Sequence, residues 1–307
     1  MRESIAGYAD AVVERAAEAG SLPAVASDLT AVQGLLDSSD DLRSVLVDPG
    51  LPAHVRRAVV TDLLKSRIDA DALRLVAFAA ETDRATEFAD DLSWLAARVA
   101  AARDNLVAVG GTPLGRHAAA ERLNGYASAV LEAVADSGDL GEVEDEMFRF
   151  SRVVDGSDGL RTALGDGDLP AAVRRGLVVD LLSGKASAAT TGMAAYATQV
   201  GRPRDYTSLL GELVERVAEE SNRRVAEVRA AVDMDDGQRR RLGEALKRLT
   251  GRDVDVRVAV DRSVLGGFVA TIGDTVVDGS ARHRLDLLKE RLVAAEPTII
   301  DDTRPAP

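Results

Sequence analysis

Cysteine is absent from all 307 residues. Its absence excludes disulfide scaffolds, thiolate-ligated zinc, iron–sulfur clusters and cysteine nucleophiles. Histidine occurs three times, at His54, His117 and His283, too sparsely for a histidine-built metal site. Aromatic residues make up 3% of the chain, which disfavours base-stacking platforms and most deep ligand pockets. Basic charge is in deficit: 38 basic against 51 acidic side chains give a net charge of -13. Nucleic acid is therefore not the expected partner, because phosphate neutralisation needs a basic surface. No apolar run approaches the length of a membrane-spanning helix. Met1-Arg2-Glu3-Ser4 leads into an amphipathic stretch with acids, unlike a secretory signal, and places the chain in the cytoplasm.

What is present is a chain that is 46% hydrophobic and long enough for two or three domains. It repeats itself. Gly7-Tyr8-Ala9-Asp10-Ala11-Val12 returns as Gly125-Tyr126-Ala127-Ser128-Ala129-Val130, an offset of 118. Leu51-Pro52-Ala53-His54-Val55-Arg56-Arg57 returns as Leu169-Pro170-Ala171-Ala172-Val173-Arg174-Arg175 at the same offset. From residue 7 to 64, 27 of 58 positions are identical without a gap, far above chance. The period exceeds that of solenoid repeats, so each copy is a domain-sized unit.

Both copies read as helical. Ile5, Tyr8, Ala9, Val12 and Val13 follow i, i+3, i+4 spacing. Ser39 and Asp40 stand where an N-cap belongs, and Leu51-Pro52 suits the start of the next helix. Five or six short helices per copy are expected over residues 1–106 and 117–222, joined by a linker at 107–116. That linker superficially resembles a phosphate loop through Gly110 and Gly115. It continues into Arg116 and His117 instead of Lys and Ser/Thr, so it is read as a linker.

After residue 222 the pattern changes. Strands are expected over 225–232, 254–260, 265–272 and 275–277, with a helix over 235–250 and a last helix over 280–292. Gly251 suits a helix C-cap. Gly273-Asp274 marks a hairpin turn, and Gly266-Gly267 suits a turn or bulge that needs positive φ. The expected fold is mostly α: two repeated six-helix-type bundles, then a small α/β domain at 223–295 and a disordered tail at 296–307. Asp274 and Asp278 are read as turn-capping acids, not an acid–base pair. Ser280, His283 and Asp286 would share one helix and lack the scaffold of a catalytic triad. The basic group Arg239-Arg240-Arg241 with Lys247, Arg248 and Arg252 is read first as a solvated helix face.

These C-terminal residues carry a resemblance. Ser263, Gly266, Gly267, Ile272, Gly273, Asp274, Asp278, Ser280 and Leu285 match, without gaps, the C-terminal signature of the delta subunit of F-type ATP synthases, the counterpart of mitochondrial OSCP. The strand–helix–strand order before it and the Gly-Tyr-Ala of the first helix are also similar to that family. The resemblance covers nearly the whole chain, but the family's usual member has one helical domain where this chain has two. Some relatives carry the extra domain within a fusion to a membrane-anchored stalk subunit, and no such anchor lies in this sequence.

The resemblance implies a non-catalytic adaptor without cofactors, linking the catalytic head to the peripheral stalk at the cytoplasmic face of the membrane. Its implied partners are the alpha-subunit N-terminal helix and a b-type stalk subunit, and it meets the membrane only through the complex. Helix-in-groove docking uses apolar anchors on neighbouring helices. The implied anchors are Tyr8, Val12, Leu73 and Val76 in copy one, and Tyr126, Val130, Met193 and Tyr196 in copy two, with copy two slightly favoured. The alternative is a soluble helical scaffold or regulatory protein that binds an unrelated partner.

Overall fold

A computed structural model describes residues 2–82, 84–104, 113–137, 139–223, 225–250, 254–261, 264, 266–272 and 275–278. The chain divides into two compact units, Met1–Ala218 and Glu219–Pro307. Both sequence copies fall in the first unit, so the repeat marks two halves of one body.

Copy one folds as α1 (Arg2–Ala19), α2 (Leu22–Ser38), α3 (Asp40–Leu46), α4 (Ala53–Leu64), α5 (Ala70–Thr82) and α6 (Phe88–Arg103). Copy two repeats the order as α7 (Arg116–Ser137), α8 (Leu140–Gly156), α9 (Asp158–Gly165), α10 (Ala171–Leu182), α11 (Ala188–Val200) and α12 (Tyr206–Arg223). The punctuation of the helices is local chemistry. Gly20, at φ +71°, ends α1 in the left-handed region, and the Ser21 N–H reaches back to the Ala16 carbonyl at 2.8 Å. Ser39 separates α2 from α3 and accepts from the Leu42 N–H at 3.3 Å. Ser157 does the same for Leu160 at 3.3 Å. Pro52 and Pro170 are N-caps of α4 and α10, one place before the first-turn position expected for proline.

The repeated Val-Arg-Arg explains itself in space. Arg56 is buried and donates to the carbonyls of Ala80 (3.0 Å) and Leu51 (2.9 Å), tying the start of α4 to the end of α5. Arg174 ties Leu169 and Thr198 in the same way. A second shared clamp is a carboxylate on the start of the fifth helix. Asp28 accepts from the Asp69 N–H at 2.7 Å, and Glu146 accepts from the Ser187 N–H at 2.9 Å.

One continuous apolar core runs through both copies, from Ile5, Leu29 and Leu95 to Leu123, Met147 and Leu213. Leu114 begins copy two by donating its N–H to Val200 at 2.8 Å, and α7 starts at Arg116, inside the expected linker. Gly110 of the phosphate-loop lookalike lies outside the described residues.

The second unit holds a four-stranded sheet in the order β2-β1-β3-β4, with β1 (Val225–Ala230), β2 (Asp255–Val260), β3 (Phe268–Ile272) and β4 (Thr275–Asp278). β1 pairs parallel with β2 across α13 (Asp236–Thr250), and antiparallel with β3. Register sets Val228 against Val258 and Ala270, so alternate residues share a face. Ala226, Val228, Ala270 and Ile272 are buried there with Leu242 and Leu246 of α13. Three expected strands are shortened, β2 only by its first residue. β1 stops at Ala230, and β3 begins only at Phe268. Gly266 and Gly267 hold φ of 70° and 80°, which an extended strand does not allow. The final helix at 280–292, Gly251 and the tail at 296–307 lie outside the described residues.

Candidate functional site

The eight residues implied as helix-docking anchors all belong to the core of the helical unit, and Val76 faces the interior of copy one, beside Val32, Leu36 and Leu92. Tyr8, Val12, Val76, Tyr126, Met193 and Tyr196 are buried; Leu73 and Val130 are partly buried against the same core. For the anchors on α1 and α7 the cause is the packing of these two helices, the first of each copy, against one another. α1 is buried nearly all round because α5 and α6 cover one side and α7 the other.

The crossing needs glycine. A Cβ on Gly7 would sit 1.8 Å from the Arg122 carbonyl oxygen, and one on Gly125 would sit 1.8 Å from that of Ser4. Ser4 and Arg122 are themselves 118 residues apart, so the two close approaches are reciprocal. Backbones that meet this closely leave no room for any side chain.

The polar contacts are reciprocal too. Tyr8 donates its hydroxyl to Glu132 at 2.5 Å, and Tyr126 donates to Glu14 at 2.6 Å. Arg57 pairs with Glu132 at 2.7 Å and Arg175 with Glu14 at 3.9 Å. Tyr8 stacks on Phe78 with centroids 4.0 Å apart, and Tyr126 stacks on Tyr196 at 3.9 Å. Burial first, then the neighbouring glutamate, push both Tyr8 and Tyr126 far above the ordinary phenol range. Both remain neutral donors at physiological pH, suited to holding helices together. Arg57 is raised too: burial opposes its charge, but Glu132 and Glu81 outweigh that.

Sequence reasoning missed Glu14, Glu132, Arg57, Arg175 and Asp10 as members of this face. A signal existed for four of them. Glu14/Glu132 and Arg57/Arg175 are charged identities of the repeat.

In the second unit, Gly266 and Gly267 adopt the positive φ expected of them, Ile272 is buried in β3, and Asp278 ends β4 exposed. Ile272 pairs with Thr275 at the end of the β3–β4 ladder. Ser263, Gly273, Asp274, Ser280 and Leu285 lie outside the described residues, as do His283 and Asp286. Of the basic group, Arg239 pairs with Asp233 at 3.1 Å and donates to the Met234 carbonyl, as on a solvated helix face. Among the described residues no cluster of three metal-ligating side chains occurs, and no helix is long and apolar enough to cross a membrane.

A paired helical body followed by a small mixed α/β unit, its buried polar groups engaged in joining helices, is the class that fold and face define. The family model described as "ATP synthase delta (OSCP) subunit" matches residues 5–109 and 123–292, two segments divided where copy one gives way to copy two. The chain belongs to the ATP synthase delta (OSCP) subunit family. It is 38% identical over 280 residues to an ATP synthase subunit delta from Kineococcus radiotolerans, an alignment covering 91% of each chain. It is 34% identical to one from Salinispora arenicola, again over 91% of each, and 34% identical to one from Streptomyces avermitilis over 88% of this chain and 89% of that one. These alignments are too long to spare either copy.

Proposed function

We propose that the chain is a non-catalytic stator adaptor of a proton-translocating F-type ATP synthase. It joins the catalytic head to the membrane-anchored stalk, so that rotor torque is resisted and drives ATP synthesis. The carrying observation is the family match through both helical copies and the α/β unit. In this reading the helical unit serves the head and the α/β unit serves a b-type stalk subunit, on the cytoplasmic face of the membrane. Two attachment units on one chain raise the effective concentration at each site without new contacts. The resemblance assigns the alpha-subunit N-terminal helix to Tyr8, Val12, Leu73, Val76, Tyr126, Val130, Met193 and Tyr196. Because α1 and α7 cover one another, that helix reaches the buried ones only where the two copies part.

Affinity purification of the tagged full chain tests the adaptor. The alpha subunit and a b-type subunit are expected in the same eluate; a stable assembly lacking both overturns the reading. A photo-reactive peptide of the alpha-subunit N-terminus tests the groove. Adducts on α1, α5, α7 or α11 support the assignment, and adducts confined to other helices move the head contact to an outer face.

A further inference from the structure

The face between the copies is two-fold in its contacts but one-sided in its charge. Asp10, on α1, is only 2% exposed. Tyr196 of copy two donates to its Oδ2 at 2.5 Å, Arg122 of copy two approaches the same oxygen at 3.4 Å, and Arg98 of copy one binds Oδ1. Arg122 is itself 8% exposed and also meets Glu3 of copy one at 3.3 Å. Moving every member by 118 gives the opposite side. Asp10 becomes Ser128, and Arg98 becomes Arg216, whose guanidinium lies 3.4 Å from the Ser128 hydroxyl. Arg122 becomes Ser4, and Tyr196 becomes Phe78, which has no hydroxyl to give.

We infer that this asymmetry is a pairing code, which selects copy two as the partner of copy one and rejects pairing of like with like between chains. Two copies one facing each other would set Ser4 and Phe78 against each Asp10, removing the cross-copy guanidinium and phenol from both buried carboxylates. Two copies two would set Arg122 and Tyr196 against Ser128 on both sides. Each Arg122 would then keep Tyr196 of its own copy and, as its only acidic partner across the face, Glu121, the counterpart of the rim residue Glu3. Both like pairings bury charge with part of its complement missing, and an uncompensated buried charge is among the costliest defects an interface can carry. The mixed pairing alone supplies every member. The reciprocal Tyr–Glu–Arg contacts would form in all three pairings, so they hold the face together without choosing the partner. Discrimination by unpaired charge in the wrong complex needs no extra attraction in the right one.

The test uses the full chain. Asp10→Ser and Arg122→Ser are each expected to lower Tm by about 6–12 °C, since each takes from the other buried group its opposite charge across the face. Asp10→Ser with Arg122→Ser turns the charged side into a copy of the neutral one, and should recover at least half of the summed loss. A mirrored variant combines Asp10→Ser, Arg122→Ser, Ser128→Asp and Ser4→Arg, with Arg216 already in place for the new acid. It should melt above the sum of its parts and sediment as a single chain. The doubly neutral variant, refolded at high concentration, should instead give several-fold more two-chain species than the wild type. If Asp10→Ser does not fold, Asp10→Asn keeps the shape and completes the same cycle. Additive losses in the cycle, or equal two-chain fractions for the neutral and wild-type chains, would overturn the inference.

Discussion

Two glycines of the same helix class behave oppositely, and space decides which matters. Gly7 lies where a Cβ would strike the Arg122 backbone, whereas Gly34, inside α2, has nothing within 4 Å of such an atom. Gly7→Ala should cost about 3 kcal/mol, because backbone cannot step aside. Gly34→Ala should be neutral or stabilise by up to about 1 kcal/mol, through the helix preference of alanine. Denaturant midpoints of the two variants check this; similar shifts in both would refute the close crossing. Glu146 gives a prediction in pH. Burial works against its charge, but bonds from Ser187 and Thr190 outweigh that and hold the carboxyl below the ordinary range. A depressed carboxyl contributes stability that is complete above the unfolded value of about 4.3, and is lost as pH falls from there through the folded value. Glu146→Gln should therefore lower stability at pH 7 and flatten its decline below about pH 4.3. Unfolding curves at pH 7 and pH 3 measure the slope, which an unchanged decline would contradict.

Among the elements, helices were legible because their signals are local. Apolar spacing, the Ser39 cap and the Leu51-Pro52 start each depend on a few neighbours, and all three mark real boundaries. The strands were legible to within a few residues, and the largest error falls at Gly266-Gly267, where the sequence pattern of apolar residues runs on but the backbone turns. Replacing either glycine with alanine should destabilise the α/β unit by about 1–2 kcal/mol, the cost of holding an L-residue in the left-handed region. Circular dichroism melts of the full chain check it; unaltered unfolding would mean that the turn adapts. What was not legible was the destination of the α1 face. A stripe such as Ile5, Tyr8 and Val12 looks the same whether a foreign helix or the chain's own second copy covers it. Periodicity reports that a face is buried and is silent on what buries it. The better clue was polar: Glu14 and Glu132, repeated on helices otherwise read for their apolar residues, meet tyrosines of the opposite copy.

At the scale of the whole molecule, one apolar core joins residues of both copies, while the α/β unit has a core of its own. The helical copies should accordingly melt in a single cooperative step, despite a sequence that divides them. Scanning calorimetry of the full chain should show no separate transition for either copy. Two transitions, each with the enthalpy of about half the helical unit, would mean that the copies are independent domains.

The reciprocal crossing at Gly7 and Gly125 has one more consequence. Contacts of this self-complementary kind close on themselves: once two faces meet, neither is left to receive a third. In an ordinary dimer such closure is governed by mass action and weakens on dilution. Here the two faces share one polypeptide, so their ratio is fixed at synthesis and their meeting does not depend on how much protein a cell makes. Gene duplication has in effect replaced a concentration with a length of chain.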